Sequence, residues 1–417
     1  MSDKKLERVK ASARVRPTVA RHGRQKRARA WKALLGLVGG GLAVLLVSGS
    51  AVAGISVWQT ASDIDTEAIG FDAVALPPSV GPYEGGFNIL IVGSDSREGE
   101  NAAIGGYESS TLNDVTMLLH VAADHQSATL VSIPRDLMVP LPACENGGPA
   151  TATSMNTTLF YGGLSCTVDT VENLTGLEIQ FAGLITFVGV IAMSNAVGGV
   201  DVCIDGAFKD SYVGLDFPEA GTYTLRGKEA LQFLRSRHGV GDGSDLGRIS
   251  SQQVFLSSLV RKLKSEDTLG DASTVYSLAK AATQNMTLSQ NFGRVDILAS
   301  IALVLKDIPL ENIVMVQYPS TTGVTTPSYY AGKVAPLQAQ ADALFAAIKS
   351  DAPIALDDDS LDSNHNGSTL DPNAPTATAT PTAEPTESAT ATPTTEPVTV
   401  SGVKGQSADQ YTCAVAN

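Results

Sequence analysis

Cysteine is scarce in this 417-residue chain, and none of its four cysteines has the C-x-x-C spacing that is typical of zinc sites. A structural zinc site is therefore not predicted. The chain shows no repeat of fixed period either. Basic residues are scarce after residue 32, where 17 Lys and Arg residues face 41 Asp and Glu residues. Because a duplex-binding protein needs a basic face, this acidic balance argues against a nucleic-acid partner.

The N-terminal region has the opposite charge. Twelve of the 29 Lys and Arg residues lie in residues 1–32 with only two acidic residues, and the next 25 residues, 33–57, are uncharged. At ~1.5 Å per residue, a helix of that length crosses a hydrocarbon core of ~30 Å. The positive-inside rule then predicts a cytoplasmic tail (1–32), one transmembrane helix (33–58) and an extracytoplasmic remainder, so we expect a single-pass protein of the cell membrane.

Two alternatives to this topology remain open. Small residues at 48–53 would also suit a cleavable signal peptide. The basic tail alone would suit nucleic-acid binding, but beside a membrane span a topology signal or a contact with anionic lipid explains it better.

Composition divides the remainder of the chain. Residues 59–84 contain three prolines and read as a linker, and residues 85–350 have the alternating apolar runs of an α/β domain. Residues 351–400 are first acidic and then Thr/Pro-rich, which predicts a disordered stalk. Residues 401–417 form a separate C-terminal segment.

Apolar runs give the predicted elements of the α/β domain. Strands are expected at 87–92, 115–121, 128–133, 200–204 and 313–318. Helices are expected at 166–174, 182–197, 245–264 and 338–348.

The four cysteines suit an oxidising exterior. Cys144 and Cys166 bracket a Gly/Thr/Asn-rich loop, so their disulfide is the favoured pairing. That choice leaves Cys203 with Cys413, although Cys203 alternatively suits a buried thiol.

Four polar islands interrupt the apolar runs, and they carry five arginines and several carboxylates. They are residues 93–97, residues 133–136, residues 235–238, and residues 245–248 followed by Gln252 and Gln253. Loops at strand ends are where α/β proteins place their binding groups. Guanidinium groups bind phosphate oxygens bidentately, and carboxylates hold a divalent metal beside them. The pattern predicts a site for a metal-complexed pyrophosphate.

The expected metal ligands are one carboxylate in the first island and one carboxylate between the first two islands. Asp95 follows a glycine at a strand end, and Asp114 precedes the next strand. Two carboxylates with substrate phosphate and water are a usual Mg²⁺ site. A turn-capping role for Asp95 and a solvated Asp114 are the alternatives. Arg97 and Arg135 would contact phosphate, unless Arg135 pairs with the neighbouring Asp136.

The other two islands supply further anion-binding groups. Arg235 and Arg237 are two residues apart, so on a strand they share one face and repel each other unless an anion lies between them. His238 is expected to be structural. Arg248 and Gln252 project from one side of the predicted helix at its N-terminus. Asp245 either caps this helix or orients an arginine.

Three of these motifs together resemble the LytR-CpsA-Psr family of cell-wall ligases: Ile-Pro-Arg-Asp at 133–136, Arg-Ser-Arg-His at 235–238, and Asp-Leu-Gly-Arg at 245–248 followed by Gln-Gln. The resemblance covers about residues 87–265, with a weaker extension to 348. It implies an α-β-α sandwich with a mixed central sheet and an apolar tunnel for a prenyl chain, to which residues 182–197 could contribute if they are not simply a core helix.

The resemblance also implies an activity: transfer of a glycopolymer from a polyprenyl-pyrophosphate carrier to peptidoglycan through a phosphodiester, with Mg²⁺, or alternatively Mn²⁺, as cofactor. The implied pyrophosphate-binding residues are Arg97, Arg135, Arg235, Arg237, Arg248 and Gln252. Asp95 and Asp114 would be the metal-binding carboxylates and, with Arg135, the catalytic residues.

The chain departs from the family pattern at four positions in three motifs. Leu112 and Val115 flank Asp114 where members commonly have Arg and Thr, Ser154 stands in place of a lysine near the pyrophosphate, and Ser251 stands in place of an arginine before the paired glutamines. The departures around Asp114 and at Ser154 put rate and substrate preference in question, and the one at Ser251 matters less. A polyprenyl-pyrophosphate hydrolase and a non-catalytic lipid-binding scaffold are the alternative functions.

Overall fold

The computed structural model describes residues 83–96, 111–265, 278, 281–361, 368–374 and 396–417. The predicted tail and transmembrane helix, nearly all of the linker, and Arg97 lie outside these residues. Within the part of the chain that is described, no helix is both long enough and apolar enough to cross a bilayer.

Short strands outnumber helices in the described residues. The strands are β1 (Phe87–Ser94), β2 (Asn113–Val121), β3 (Ala128–Ile133), β4 (Met138–Leu141), β5 (Ala150–Ser154), β6 (Phe181–Ile185), β7 (Val200–Ile204), β8 (Phe208–Asp210), β9 (Leu215–Phe217), β10 (Gly221–Leu225), β11 (Met286–Leu288), β12 (Ile313–Gln317), β13 (Ser320–Thr321), β14 (Ala335–Pro336), β15 (Ile354–Ala355), β16 (Ser368–Leu370), β17 (Val398–Thr399), β18 (Gly405–Ser407) and β19 (Thr412–Ala414). The helices are α1 (Thr158–Thr175, interrupted at Gly162 and Gly163), α2 (Phe187–Ala196), α3 (Lys228–Arg235), α4 (Asp245–Lys264), α5 (Val295–Asp307) and α6 (Gln338–Lys349).

The central sheet has seven strands in the order β11-β6-β1-β2-β3-β12-β18. The β6–β1 and β3–β12 pairs are parallel and the others antiparallel, so the sheet is mixed. Along β1, Ile89 and Leu90 point to opposite faces and join different apolar cores. Helices α1 and α6 cover one face, and α5 covers the other. The predicted α/β fold with a mixed central sheet is confirmed.

A second sheet, in the order β10-β7-β19-β16, packs on α4 and encloses a third apolar core with α3. Cys203 and Cys413 face each other across the parallel β7–β19 pair and form a disulfide. The expected Cys144–Cys166 disulfide is also present and ties the β4–β5 connection to α1. Both sequence-based pairings are therefore confirmed.

The predicted helix at 182–197 is wrong in its first part. Phe181–Ile185 is the strand β6, and α2 begins only at Phe187, after Thr186, whose side chain accepts a hydrogen bond from the amide of Gly189. The run is apolar at nearly every position, so it has no period that separates a buried strand from a buried helix. Pairing in the sheet makes residues 181–185 a strand, because β6 pairs in parallel with β1.

The expected domain boundary at 350 and the expected stalk also differ from the structure. Strand β15 pairs with β17, β16 pairs with β19, and β18 forms an edge of the central sheet. Residues on both sides of the Thr/Pro-rich tract therefore belong to the domain. These strands have two or three residues each, too few to show an apolar pattern. The tract itself, 375–395, lies outside the described residues.

Candidate active site

A β-bulge sets the position of Asp114. Gly93 pairs with Val115 and Ser94 pairs with Asn113, so Asp114 is the extra residue of β2. A Cβ on Gly93 would lie 3.0 Å from the Cβ of Val115, so the close approach of the two strands favours glycine here. Bulges redirect side chains next to binding sites. Here the bulge brings Asp114 to the wall of a cavity between the central sheet and α4.

Asp95 follows the same bulge on the other strand. Its amide donates to the carbonyl of Leu112 (3.1 Å), and its Oδ1 accepts from the Leu112 amide (3.0 Å). Asp95 therefore has the turn-capping role that the sequence analysis gave as the alternative to metal binding. Asp95 does not line the cavity, but it belongs to the same strand junction as Asp114.

Arg135 follows β3 and forms an ion pair with Asp114 through Nη1 and Oδ1. Its Nε lies 3.5 Å from Asp136 Oδ2, so the alternative pairing with Asp136 is also present. Burial disfavours the charge on Arg135, but the carboxylates of Asp114, Asp136 and Asp245 outweigh burial and raise the pKa of Arg135 above its ordinary value. The guanidinium therefore stays charged beside the cavity.

Asp136 is shared with a lysine that the sequence analysis missed. Lys333 Nζ lies 2.9 Å from Asp136 Oδ1. Burial favours the neutral acid, but the hydrogen bond and charge of Lys333 and the charge of Arg135 outweigh it and lower the pKa of Asp136. Lys333 follows Asp136 by 197 residues, and no local signal connects the two positions. Lys333 partly neutralises the Asp136 carboxylate, which would otherwise compete with a bound anion for Arg135.

At the start of α4, one carboxylate joins two arginines. Ser244 caps the helix by accepting the Gly247 amide (3.1 Å), so the capping role considered for Asp245 is not observed. Asp245 Oδ1 instead lies 3.2 Å from Arg237 Nη2 and 2.6 Å from Arg248 Nη2. The prediction that Asp245 orients an arginine is confirmed, and it orients two.

Arg248 is almost completely buried, with 4% of its surface exposed. Its Nη2 also donates to the main-chain carbonyl of Asp114 (3.0 Å), and burial lowers its pKa. Among the described residues, Arg248 Nε is buried without a hydrogen-bond acceptor, and Arg237 Nη2 is buried with the Asp245 carboxylate beside it. A buried donor without an acceptor costs ~1–3 kcal/mol, so Arg248 Nε suits an oxygen of a bound anion.

The strand expected around Arg235 and Arg237 is absent. Arg235 is the last residue of α3, and its guanidinium lies 4.3 Å from the ring centre of Phe187, over the ring face. It lines the cavity, as does Gln252, whose Nε2 donates to the carbonyl of Leu234 (2.9 Å). The two arginines therefore reach the site from a helix end and a loop, not from one face of a strand.

Asp210, at the end of β8, holds that loop and was missed in the sequence analysis. It is 1% exposed. Its Oδ2 accepts from Ser236 Oγ (2.6 Å) and from the amides of Arg237 (3.2 Å) and His238 (3.1 Å). Its Oδ1 accepts from the amide of Tyr212 (3.0 Å). Burial alone would raise the pKa of Asp210, but these hydrogen bonds outweigh burial and lower it. In the sequence, Asp210 is one aspartate among many.

The cavity has a volume of about 390 Å³, and its lining is mostly apolar, with Arg235, Arg248 and Asp114 as its charged residues. From α4 it is lined by Arg248, Gln252, Phe255, Leu256, Leu259 and Leu263, all on one side of the helix. At ~1.5 Å per residue these positions span ~22 Å, from charged groups to a wholly apolar end. Helix α2 contributes Phe187, Val190 and Met193, so the segment expected to help form an apolar tunnel does line the cavity.

The donor chemistry at the bulge fits a magnesium ion. Asp95 and Asp114 offer hard oxygen ligands from adjacent strands, and Mg²⁺ typically takes one or two carboxylates plus phosphate and water. The one group of three potential metal ligands within the described residues is Cys203, Asp371 and Cys413, and its two cysteines are joined in a disulfide. A complete metal site at the bulge therefore needs oxygens from a substrate.

Known proteins resemble this chain over most of the described residues. A model of the LytR_cpsA_psr family matches residues 53–346. The cell wall biosynthesis protein LcpA of Corynebacterium glutamicum is 30% identical over 309 residues, which cover 67% of this chain and 58% of LcpA. The polyisoprenyl-teichoic acid–peptidoglycan teichoic acid transferase TagU of Enterococcus faecalis is 30% identical over 206 residues, which cover 49% of this chain and 62% of TagU. The chain thus spans between one half and two thirds of the length of these relatives.

Among solved structures, protein gbs0355 from Streptococcus agalactiae superposes with a TM-score of 0.52 at 20% identity, covering 64% of this chain and 88% of that protein. This likeness concerns the fold alone.

Proposed function

The chain belongs to the LytR_cpsA_psr family, and on that premise we propose that it is a phosphotransferase that moves a glycopolymer from a polyprenyl-pyrophosphate carrier to peptidoglycan. The transferase named TagU acts, by its name, between polyisoprenyl-teichoic acid and peptidoglycan. We extend that reaction class to this chain without specifying the glycopolymer.

The observation that carries the proposal is the gradient of polarity along α4. The cavity is charged at Arg248 and apolar from Phe255 to Leu263. An amphiphile with a charged head and a greasy tail fits this gradient, because each buried methylene contributes ~0.8 kcal/mol while the head keeps its ionic partners. A polyprenyl pyrophosphate is such a molecule, whereas a soluble nucleotide would leave the apolar end unfilled.

The charged end also fits a pyrophosphate by charge. Four arginines (Arg135, Arg235, Arg237 and Arg248) and Lys333 lie with four carboxylates (Asp95, Asp114, Asp136 and Asp245), a balance of roughly +1 at neutral pH, which the proposed magnesium ion would raise to about +3. A pyrophosphate diester carries two negative charges. The buried donor Arg248 Nε would gain an oxygen acceptor on binding.

In the proposed reaction, a hydroxyl oxygen of peptidoglycan attacks the phosphorus that carries the glycan. A new P–O bond forms, the bridging P–O bond of the pyrophosphate breaks, and polyprenyl monophosphate leaves with the bond's electron pair. The arginines stabilise the charge that develops on the transferred and departing phosphates. A carboxylate near the attacking hydroxyl accepts its proton and later releases it to solvent.

We propose Mg²⁺, or alternatively Mn²⁺, as the cofactor, with Asp95 and Asp114 as its protein ligands. When bound, the ion would add positive charge beside the phosphate oxygens. Residues 1–32 and 33–58 are proposed to be the cytoplasmic tail and the single transmembrane helix, with the catalytic domain outside the cell.

The test follows polyprenyl monophosphate released from a polyprenyl-pyrophosphate-linked oligosaccharide, with and without peptidoglycan, in Mg²⁺ and in EDTA. It uses the full-length protein in detergent, because truncation near residue 350 would remove β18 and β19. Arg237→Ala should lose ~10²–10³-fold in turnover, since it removes one charged contact to the transition state. The matched control is Arg226→Ala, an exposed arginine that does not line the cavity.

Release that peptidoglycan stimulates, that EDTA abolishes and that Arg237→Ala lacks is the expected result. Release independent of peptidoglycan would identify a hydrolase instead. Tight binding of the lipid without release would identify a non-catalytic lipid-binding scaffold. Full activity of Arg237→Ala would overturn the role assigned to that arginine.

A further inference from the structure

An exposed aromatic stack stands beside the arginine loop, outside the cavity. Tyr212, in the β8–β9 turn, is 80% exposed, which is unusual for so large a side chain. Its ring is stacked on the imidazole of His238, with 4.3 Å between centroids and 27° between planes. The pair presents a flat aromatic face to solvent, with the phenol oxygen at its edge.

The stack and Arg237 are fixed by the same buried carboxylate. Asp210 Oδ1 accepts the Tyr212 amide, and its Oδ2 accepts the amides of Arg237 and His238. A surface tyrosine held through its backbone and its ring loses little further entropy on binding a ligand. This aromatic face is therefore preorganised, and it adjoins in the chain a guanidinium that points inward to Asp245.

A flat aromatic face with a polar edge suits one class of ligand in this position. Pyranose rings have an apolar C–H face that stacks on aromatic rings, and their hydroxyl groups bind polar atoms at the ring edge. We propose that Tyr212 and His238 form a sugar-binding subsite, which holds a pyranose of a glycan next to the phosphate bound at Arg237. The inference rests on the proposed function to the extent that Arg237 binds that phosphate.

The sugar has two possible sources, the donor glycan and the peptidoglycan acceptor, and separate arms distinguish them. The donor arm measures binding of polyprenyl pyrophosphate with and without an attached disaccharide to the full-length protein in detergent. The acceptor arm measures the KM for peptidoglycan fragments at saturating donor. Each arm compares the wild-type protein with Tyr212→Ala and Tyr212→Phe.

Tyr411→Ala is the matched control. Tyr411 is also partly exposed, at 39%, but its ring already covers the guanidinium of Arg261. Arg261 lies 13 residues, or ~20 Å, along α4 from Arg248. Loss of an exposed tyrosine there should change neither arm.

We expect Tyr212→Ala to weaken one sugar-dependent quantity by about threefold to tenfold, as for the loss of one aromatic stacking contact. Tyr212→Phe should have a smaller effect than Tyr212→Ala, because the ring is retained and only the phenol oxygen is lost. If the donor supplies the sugar, affinity for the glycosylated lipid falls and affinity for the bare lipid does not. If the acceptor supplies it, the KM for peptidoglycan rises instead.

Equal effects on bare and glycosylated lipid, or no effect in either arm, would overturn the subsite. If the wild-type protein binds the glycosylated lipid but shows no acceptor-dependent turnover, the proposed transferase activity is refuted. The donor arm then still tests whether Tyr212 and His238 bind a sugar. The two failures are therefore distinguishable.

Discussion

Replacing Asp210 with Asn should loosen the loop that carries Arg237 while leaving the shape of the side chain unchanged. The carboxylate accepts four hydrogen bonds and is 1% exposed. An asparagine can keep its oxygen toward Ser236, Arg237 and His238, but its NH₂ group then faces the Tyr212 amide. The partly buried Tyr212 amide loses its acceptor, and three charge-assisted hydrogen bonds become neutral.

The expected loss of stability is ~2–3 kcal/mol, because a buried unsatisfied donor alone costs ~1–3 kcal/mol. The expected loss of kcat is ~10- to 100-fold, because a shift of about 1 Å in a positioning group has an effect of that order. Stability is measured by urea denaturation followed by near-ultraviolet circular dichroism of the tyrosines, since both tryptophans, Trp31 and Trp58, precede the domain. Turnover is measured by release of polyprenyl monophosphate.

The control for Asp210→Asn is Asp216→Asn, in the neighbouring strand β9. Asp216 is 58% exposed and pairs with the exposed Lys209, so its loss should leave both stability and kcat nearly unchanged. If Asp210→Asn matched this control in both stability and kcat, the assigned role of Asp210 would be wrong.

The dependence on pH gives a second check. Hydrogen bonds lower the pKa of Asp210 in the folded protein, so its contribution is fully present above its unfolded pKa of ~4 and is lost as pH falls through the lower folded value. The stability difference between wild type and Asp210→Asn should therefore be constant from about pH 7 to pH 5 and shrink as the pH falls below about 4. A difference that grew on acidification would contradict the proposed ionisation.

Three further predictions follow from other contacts. Lys333→Ala should raise the pKa of Asp136, measured by NMR titration, because the hydrogen bond and charge of Lys333 are lost. It should also lower kcat/KM by about threefold to tenfold, because Asp136 then competes more strongly with the substrate for Arg135. An unchanged pKa of Asp136 would refute the contact. Leu259→Trp should weaken binding of a polyprenyl pyrophosphate by at least about tenfold, the equivalent of about two buried methylenes, while binding of inorganic pyrophosphate stays unchanged. Replacing Cys413 with Ala should destabilise the protein by ~5 kcal/mol in urea, more than the ~3 kcal/mol for Cys144→Ala, because the two disulfides close loops of 210 and 22 residues; the reverse order would contradict this chain-entropy argument.

Local pattern predicted much of the central sheet and the long helix. The hairpin β2–β3 and helix α4 were predicted with nearly their observed bounds, because alternation and 3.6-residue periodicity are properties of neighbouring residues. The same reasoning failed at Phe181–Ile185, where every position is apolar and pairing with β1 sets the conformation. It also failed for the strands β15 to β19. They are too short to show an apolar pattern, and they form only by pairing with strands that are distant in the sequence.

The candidate site shows the same division. Arg135, Arg235, Arg237 and Arg248 were found from the sequence because arginines at element ends are a compositional signal. The partners that position them were found only in part. Asp210 and Lys333 were missed because an isolated Asp or Lys in a loop carries no signal of what lies opposite it.

The sequence by itself determined which chemical groups are available: the arginines, two carboxylates near strand ends, four cysteines, and a helix with polar groups at its start and an apolar stripe further along one side. These are properties of residue type and local spacing. Only the tertiary structure decided that Arg237 and Arg248 share Asp245, that the Arg248 guanidinium reaches Asp114 across 134 residues, and that the apolar side of α4 borders a cavity and is not completely packed. The physical reason is that burial, ion pairing and cavity shape depend on which distant segments the fold brings into contact.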